Sequence, residues 1–354
     1  MTVLGQRALN RALLERQMLL ERSTRGVVGA VEHLIAVQAQ VPGAPYLGLW
    51  SRVAGFDPDE LGRRVTDLSM IRMPTLRCTM HLTTADDALA LRPITAPLLK
   101  RTFLGQFGKQ LAGIDVDEVA AAGLELLDRP MSVTELGRLI AERWPGPDPA
   151  ALGYAVQYCA PLAQVPPRGV WGRAGRAKLD ALPRMLGRPL PDDVSADELV
   201  LRYLRAFGPA STADARAFTG VGGLKEVVER LDLRRFADER GRELLDVPDG
   251  LLPDPDTPAP PRFLGEYDNI MLGHDDRTRV LATEHRPRVL PGAVRPVLVD
   301  GMVAAEWTSG PEGIEVKPFA RLSDTDASDV IAEGERLLDA LFPDATRKVS
   351  IRQP

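Results

Sequence analysis

The chain has 354 residues, 44% of them apolar, which is enough to fill two or three cores and excludes an intrinsically disordered protein. A formal net charge of −5 excludes a uniformly basic nucleic-acid binder while leaving room for a local basic channel. Two cysteines, Cys78 and Cys159, and four histidines, His33, His81, His274 and His285, show no CxxC or HExxH spacing, so neither a metal nor a cofactor is expected.

The first elements are helical: LNRALLERQMLL (9–20) and VVGAVEHLIAV (27–37) carry apolar residues at helical spacing. The second runs into Gln38-Ala39-Gln40-Val41-Pro42. On a helix two residues two apart point about 200° away from each other, whereas on extended chain they share a face. Pro42 disfavours helical dihedrals at Val41, so the chain is expected to unwind here. Two readings stay open from these five residues: a polar helix end in a loop, or two carboxamides converging on one ligand. SMIRMPTLRCTMHLTT (69–84) then reads as two short strands around Met73-Pro74.

The middle of the chain repeats one grammar. DVDEVAAAGLELLD (115–128) is an amphipathic helix, Ser132 and Glu135 form a capping-box pair before the next, and AALGYAVQYCAPLAQV (150–165) leads into the glycine- and proline-bracketed PPRGVWGRAGRA (166–177). ADELVLRYLRA (196–206) starts the order again, with Ser211 and Asp214 at the cap, GGLKEVVERLD as a third helix and FADERGRELLDV as a hairpin. Helix, helix, helix and wing thus occur twice. With the first part, three tandem winged-helix units are expected; incidental hairpins in a helical protein are the alternative.

Beyond the proline-rich LLPDPDTPAPPRF (251–263) the pattern turns to strands. RPVLVDGMVAAEW has two apolar runs joined by Asp300-Gly301, a dipeptide suited to a tight hairpin turn, which either reaches into a groove or completes a sheet. GIEVKPFARL is a further strand, and a closing helix is expected from about Asp326 to Leu341. Only six of the 44 basic residues are lysines. Arginine forks suit phosphate and guanine edges, but a GC-rich genome favours the same bias.

Four stretches taken together, AVQAQVPGAPYLGLWSR, RCTMHLTTADD, PPRGVWGRAGR and FLGEYDNIMLGHDDRTRVL, resemble the tandem winged-helix DNA glycosylases of the AlkZ and YcaQ type, over essentially the whole chain. The resemblance implies an α+β fold of three winged-helix units (1–113, 114–192 and 193–250) and a β-rich C-terminal domain with a hairpin (251–354), C-shaped around a channel for double-stranded DNA. It also implies excision of N7-alkylated purines and unhooking of interstrand cross-links. The family's catalytic Gln-x-Gln or Gln-x-Asp motif falls on Gln38 and Gln40; an amide at the second position is similar to the AlkZ branch, associated with self-resistance to a cross-linking natural product such as azinomycin B.

An N7-alkylated purine is already cationic and leaves without an extra proton, so what remains is to place water and stabilise the sugar as it gains positive charge. Neutral amides suffice for such a lesion and serve intact purines poorly. No lysine lies near the double-Gln run, so a monofunctional enzyme is expected rather than a Schiff-base lyase. Arg77 and His81 on the strand pair, and Arg168, Arg173 and Arg176 in the central wing, are the candidate DNA-binding residues. No apolar run of membrane-spanning length and no signal-peptide core are evident, so a monomer in the cytoplasm, associated with the nucleoid, is expected. The rival readings are a non-catalytic winged-helix transcriptional regulator and a DNA-damage-binding protein without turnover.

Overall fold

The computed structural model describes residues 1–289 and 293–352, and its fold is mixed α+β. Internal contacts divide it into two compact units: residues 1–61, 197–218 and 223–354 form one, residues 62–196 and 219–222 the other. The expected divisions at 113, 192 and 250 rest on local element order, a different matter from compactness.

In the second unit Met70–Pro74 and Met80–Thr84 pair antiparallel, the two strands expected, although Met73-Pro74 ends the first strand rather than turning between them, and Arg72 pairs across to Gln164. The helices Val116–Leu126, Val133–Ala141 and Pro149–Cys159 follow, and the Ser132–Glu135 capping box is formed in both directions. Leu162–Gln164 and Leu179–Ala181 close this run as an antiparallel pair, and Met131, between the first two helices, bridges to Leu179. Gly137 and Gly153 allow two of these helices to cross closely, because a Cβ on either would collide with the backbone of the other helix, at Pro149 and Val133. The 23-residue helix Ala85–Phe107 has no counterpart in the sequence reading; it carries Pro93 and Pro97 internally, and prolines argue against a helix interior. Its Arg92 is buried and donates to the carbonyls of Tyr158, Cys159 and Ala160 at 2.8–3.2 Å, which satisfies the end of the Pro149–Cys159 helix.

The first unit repeats that order with Ala196–Phe207, Thr212–Thr219, Leu224–Arg230 and the hairpin Arg234–Asp238/Glu243–Asp246, again with a residue between the first two helices, Ala210, bridging to the second strand at Leu245. Tyr203, Phe207 and Phe218 stack in its core. A five-stranded sheet follows, in the order Val349–Ile351, Gly313–Pro318, Met302–Gly310, Pro296–Val299, Arg262–Phe263, backed by the closing helix Asp324–Leu341. Asp300 and Gly301 both take positive φ, 46° and 78°, as a tight mirror-image turn requires. Of the two readings of this hairpin, sheet completion holds. Arg7 and Arg11 bind the Asp300 carboxylate, and the Asn10 amide donates to the Gly301 carbonyl at 2.9 Å, so this turn is occupied by the first helix.

Candidate active site

The helix before the double-Gln run ends at His33, four residues earlier than its apolar pattern suggests. Ile35, wholly buried, then adopts φ +70°. A β-branched side chain rarely occupies that region, and such backbone strain, on the order of 1–3 kcal/mol, persists only where the surroundings over-determine it. Asn269 holds the chain just beyond Ile35. Its side-chain NH₂ donates to the Ala36 carbonyl at 2.6 Å, and the Gln38 backbone N–H donates to its carbonyl oxygen at 3.3 Å. One carboxamide thus bonds the backbone on both sides of Val37 and helps to hold Val37–Gln38 extended.

The extended geometry is short. Val37–Gln38 is strand, Gln40 lies in a bend, and the helix Ala44–Trp50 starts immediately beyond Pro42. Gln38 is buried at 4% exposure, whereas Gln40 is exposed. The two amides therefore stand two residues apart in different surroundings, one desolvated and one open to water.

The Ala44–Trp50 helix is held by the same segment that supplies Asn269. Arg52, just past its end, makes a two-pronged ion pair with Asp268 at 2.8 and 2.7 Å, both side chains being 2% exposed. Asp268 also accepts the Ile270 N–H and so caps the short helix Asn269–Leu272. A Cβ at Gly265 would lie 2.9 Å from the Ala44 carbonyl, so that glycine is needed for the approach, and one at Gly48 would press on an Asp268 oxygen at 3.3 Å.

In the second unit Arg77 and Cys78 are consecutive left-handed residues (φ 52° and 59°) at the turn between the strands. Gly220 packs against the Arg77 backbone. His81 is wholly buried; its Nδ1 donates to the Thr79 carbonyl at 2.9 Å, which leaves Nε2 to accept from the Arg77 guanidinium at 3.1 Å. Burial, and then the Arg77 charge, hold its pKa well below the usual histidine value, so it is neutral. In the central wing Arg168 donates to the Gly175 carbonyl at 3.0 Å, while Arg173 and Arg176 are exposed. Beneath them Arg72 is buried; it bonds Gln164, lies against Gly169, and is pushed down to about 10 by burial and by the Arg168 charge. Arg77 and His81 are thus brought together, as are Arg72 and Arg168.

A model of the AlkZ-like DNA glycosylases matches residues 31–340. The chain belongs to the AlkZ-like DNA glycosylase family. It is 28% identical over 340 residues, covering 86% of this chain and 88% of the relative, to an interstrand DNA cross-link repair glycosylase of Streptomyces sahachiroi. Its fold matches the solved structure of the Streptomyces sahachiroi DNA glycosylase AlkZ with a TM-score of 0.78 at 23% identity, over 99% of this chain and 100% of that one. This AlkZ-like chain is a DNA glycosylase, and DNA is its partner. Among the described residues, no helix is long and apolar enough to cross a membrane.

Sequence reasoning missed Asn269, Asp268, Arg52 and Arg72. A local signal existed for one of them: Asp268 before an apolar run has the form of a helix N-cap. Nothing local announces that Asn269 meets a strand 231 residues earlier.

Proposed function

We propose that this AlkZ-like glycosylase excises cationic N7-alkylguanine adducts and unhooks DNA interstrand cross-links, without lyase activity, and that it protects its host from a DNA-alkylating natural product. The observation that carries the reading is the clamp of Asn269 on Ala36 and Gln38, which presents one buried and one exposed glutamine amide from a rigid segment. Gln38 supplies its amide dipole from a desolvated position, where such a dipole is little screened. Gln40, open to solvent, meets the water and the sugar of the lesion.

Neither group is a strong base or acid, which suits a base whose own charge has already weakened the glycosidic bond. Neutral lesions such as hypoxanthine are therefore expected to be poor substrates. The relative in Streptomyces sahachiroi, named for interstrand cross-link repair, supports the cross-link assignment. Arg77, positioned by His81, and the wing arginines Arg168, Arg173 and Arg176 are assigned to the DNA backbone; the repeated order of three helices and a hairpin, each with a bridging residue, supports winged-helix units as their carriers.

The test is incubation with duplex DNA carrying an N7-guanine adduct or a cross-link, followed by alkali. Strand scission is expected with the wild type and about 100-fold less with Gln40→Ala. Scission surviving both Gln38→Ala and Gln40→Ala would remove these residues from the chemistry. Borohydride trapping of a protein–DNA adduct would contradict the absence of lyase activity.

A further inference from the structure

Most arginines in the C-terminal part of the first unit have a carboxylate: Arg240 and Arg242 share Asp276 at 3.2 and 3.3 Å, and Arg295 pairs with Glu266 at 2.7 Å. Arg277, next to Asp276 in sequence, does not. Among the described residues it makes no ion pair and no side-chain hydrogen bond, and its Nε is buried without a partner. Burial lowers its pKa first, the nearby like charge of Arg286 adds to this, and Asp275 opposes it without forming an ion pair. Arg286 likewise has no carboxylate among the described residues, and Arg288 lies over the Phe319 ring at 4.5 Å rather than on an acid.

We infer that Arg277 and Arg286 form a clamp for the phosphodiester backbone of DNA, whose oxygens supply the acceptors the protein withholds. The guanidinium fork matches a phosphate in two contacts, and Arg277 sits eight residues beyond Asn269, in the segment that holds the double-Gln strand. Backbone capture and presentation of the two amides thus fall to one stretch of chain. The inference rests on the glycosylase reading of that stretch and adds to it a second contact with the substrate.

The test is duplex binding measured against salt concentration for wild type, Arg277→Gln, Arg286→Gln and the double variant. Each lost phosphate contact lowers the slope of log affinity against log salt by about 0.9, so the double variant is expected to lose about 1.8 and to bind about tenfold more weakly at low salt. Arg347→Gln, which removes an exposed side chain already paired with Asp339, serves as the unaffected control. Base release under saturating protein should persist in the clamp variants, since both glutamines remain. Wild-type release together with unchanged variant slopes overturns the clamp and leaves the glycosylase assignment intact; no release by the wild type sinks the assignment instead. Should the glutamine variants fail to fold, arginine modification of the wild-type protein by phenylglyoxal decides: Arg277 and Arg286 are expected to be protected by duplex DNA, and equal labelling with and without DNA refutes the clamp.

Discussion

A single side chain, Asn269, carries more of the candidate site than either glutamine does by itself. It offers one donor and one acceptor in one plane, which is what the edge of a two-residue strand needs, and it stands opposite a strained Ile35 that the helix before it cannot absorb. Replacement by leucine keeps the bulk but removes the donor to the Ala36 carbonyl and the acceptor of the Gln38 N–H. That loss should cost about 2–4 kcal/mol of stability and at least about tenfold in base release. Aspartate is the sharper variant: it still accepts from Gln38 but sets a carboxylate against the Ala36 carbonyl. Urea denaturation and alkali-scission assays of the two variants check this, and wild-type behaviour of both would show that the strand holds its shape without the clamp.

Elements here are fixed largely by buried arginines. Arg92 finishes the Pro149–Cys159 helix from another helix, and Arg52 locks the Ala44–Trp50 helix to the segment beginning at Asp268. The Arg52–Asp268 pair is 2% exposed on both sides, so removing one partner strands a charge in the interior. Asp268→Asn is therefore expected to destabilise by about 3–5 kcal/mol, whereas Arg52→Met combined with Asp268→Leu should cost much less than the sum of the single losses. A double-mutant cycle by thermal melting measures the difference, and strict additivity would mean that the pair is not coupled. The exposed Gln40 lies in the bend just before the Ala44–Trp50 helix, so Asp268→Asn should also lower base release at temperatures where the fold persists.

At the scale of the whole molecule, acid sensitivity follows from histidines buried in their neutral form. Burial holds His81 well below the ordinary histidine value; His274 is pushed down to about 3 by burial and then by the Arg279 charge, and burial lowers His33 as well. A histidine whose folded pKa is depressed takes up its proton in the unfolded chain first. Stability is therefore unaffected above about pH 6.5 and falls as pH drops below it, until the folded pKa is reached. His81 and His274 together should remove about 2.7 kcal/mol per pH unit once both titrate in the unfolded state. They lie in different compact units, so both units should weaken. Melting curves at pH 7 and pH 5 test this, and equal midpoints would contradict it.

Sequence by itself determined what is local: the capping boxes, the repeated order of three helices and a hairpin, the Asp300-Gly301 turn, and a motif order sufficient to place the chain among the AlkZ-like glycosylases. These are legible because caps, turns and apolar periodicity act over a few residues, and their side chains carry the signal themselves. Tertiary structure decided the rest: that the helix stops at His33, that Gln38 is buried while Gln40 is not, that the hairpin turn is taken up by the first helix, and that Asn269 clamps Ala36 and Gln38. The last two join groups more than 200 residues apart in the chain, where a short polar side chain looks the same whether it faces water or bonds a distant backbone.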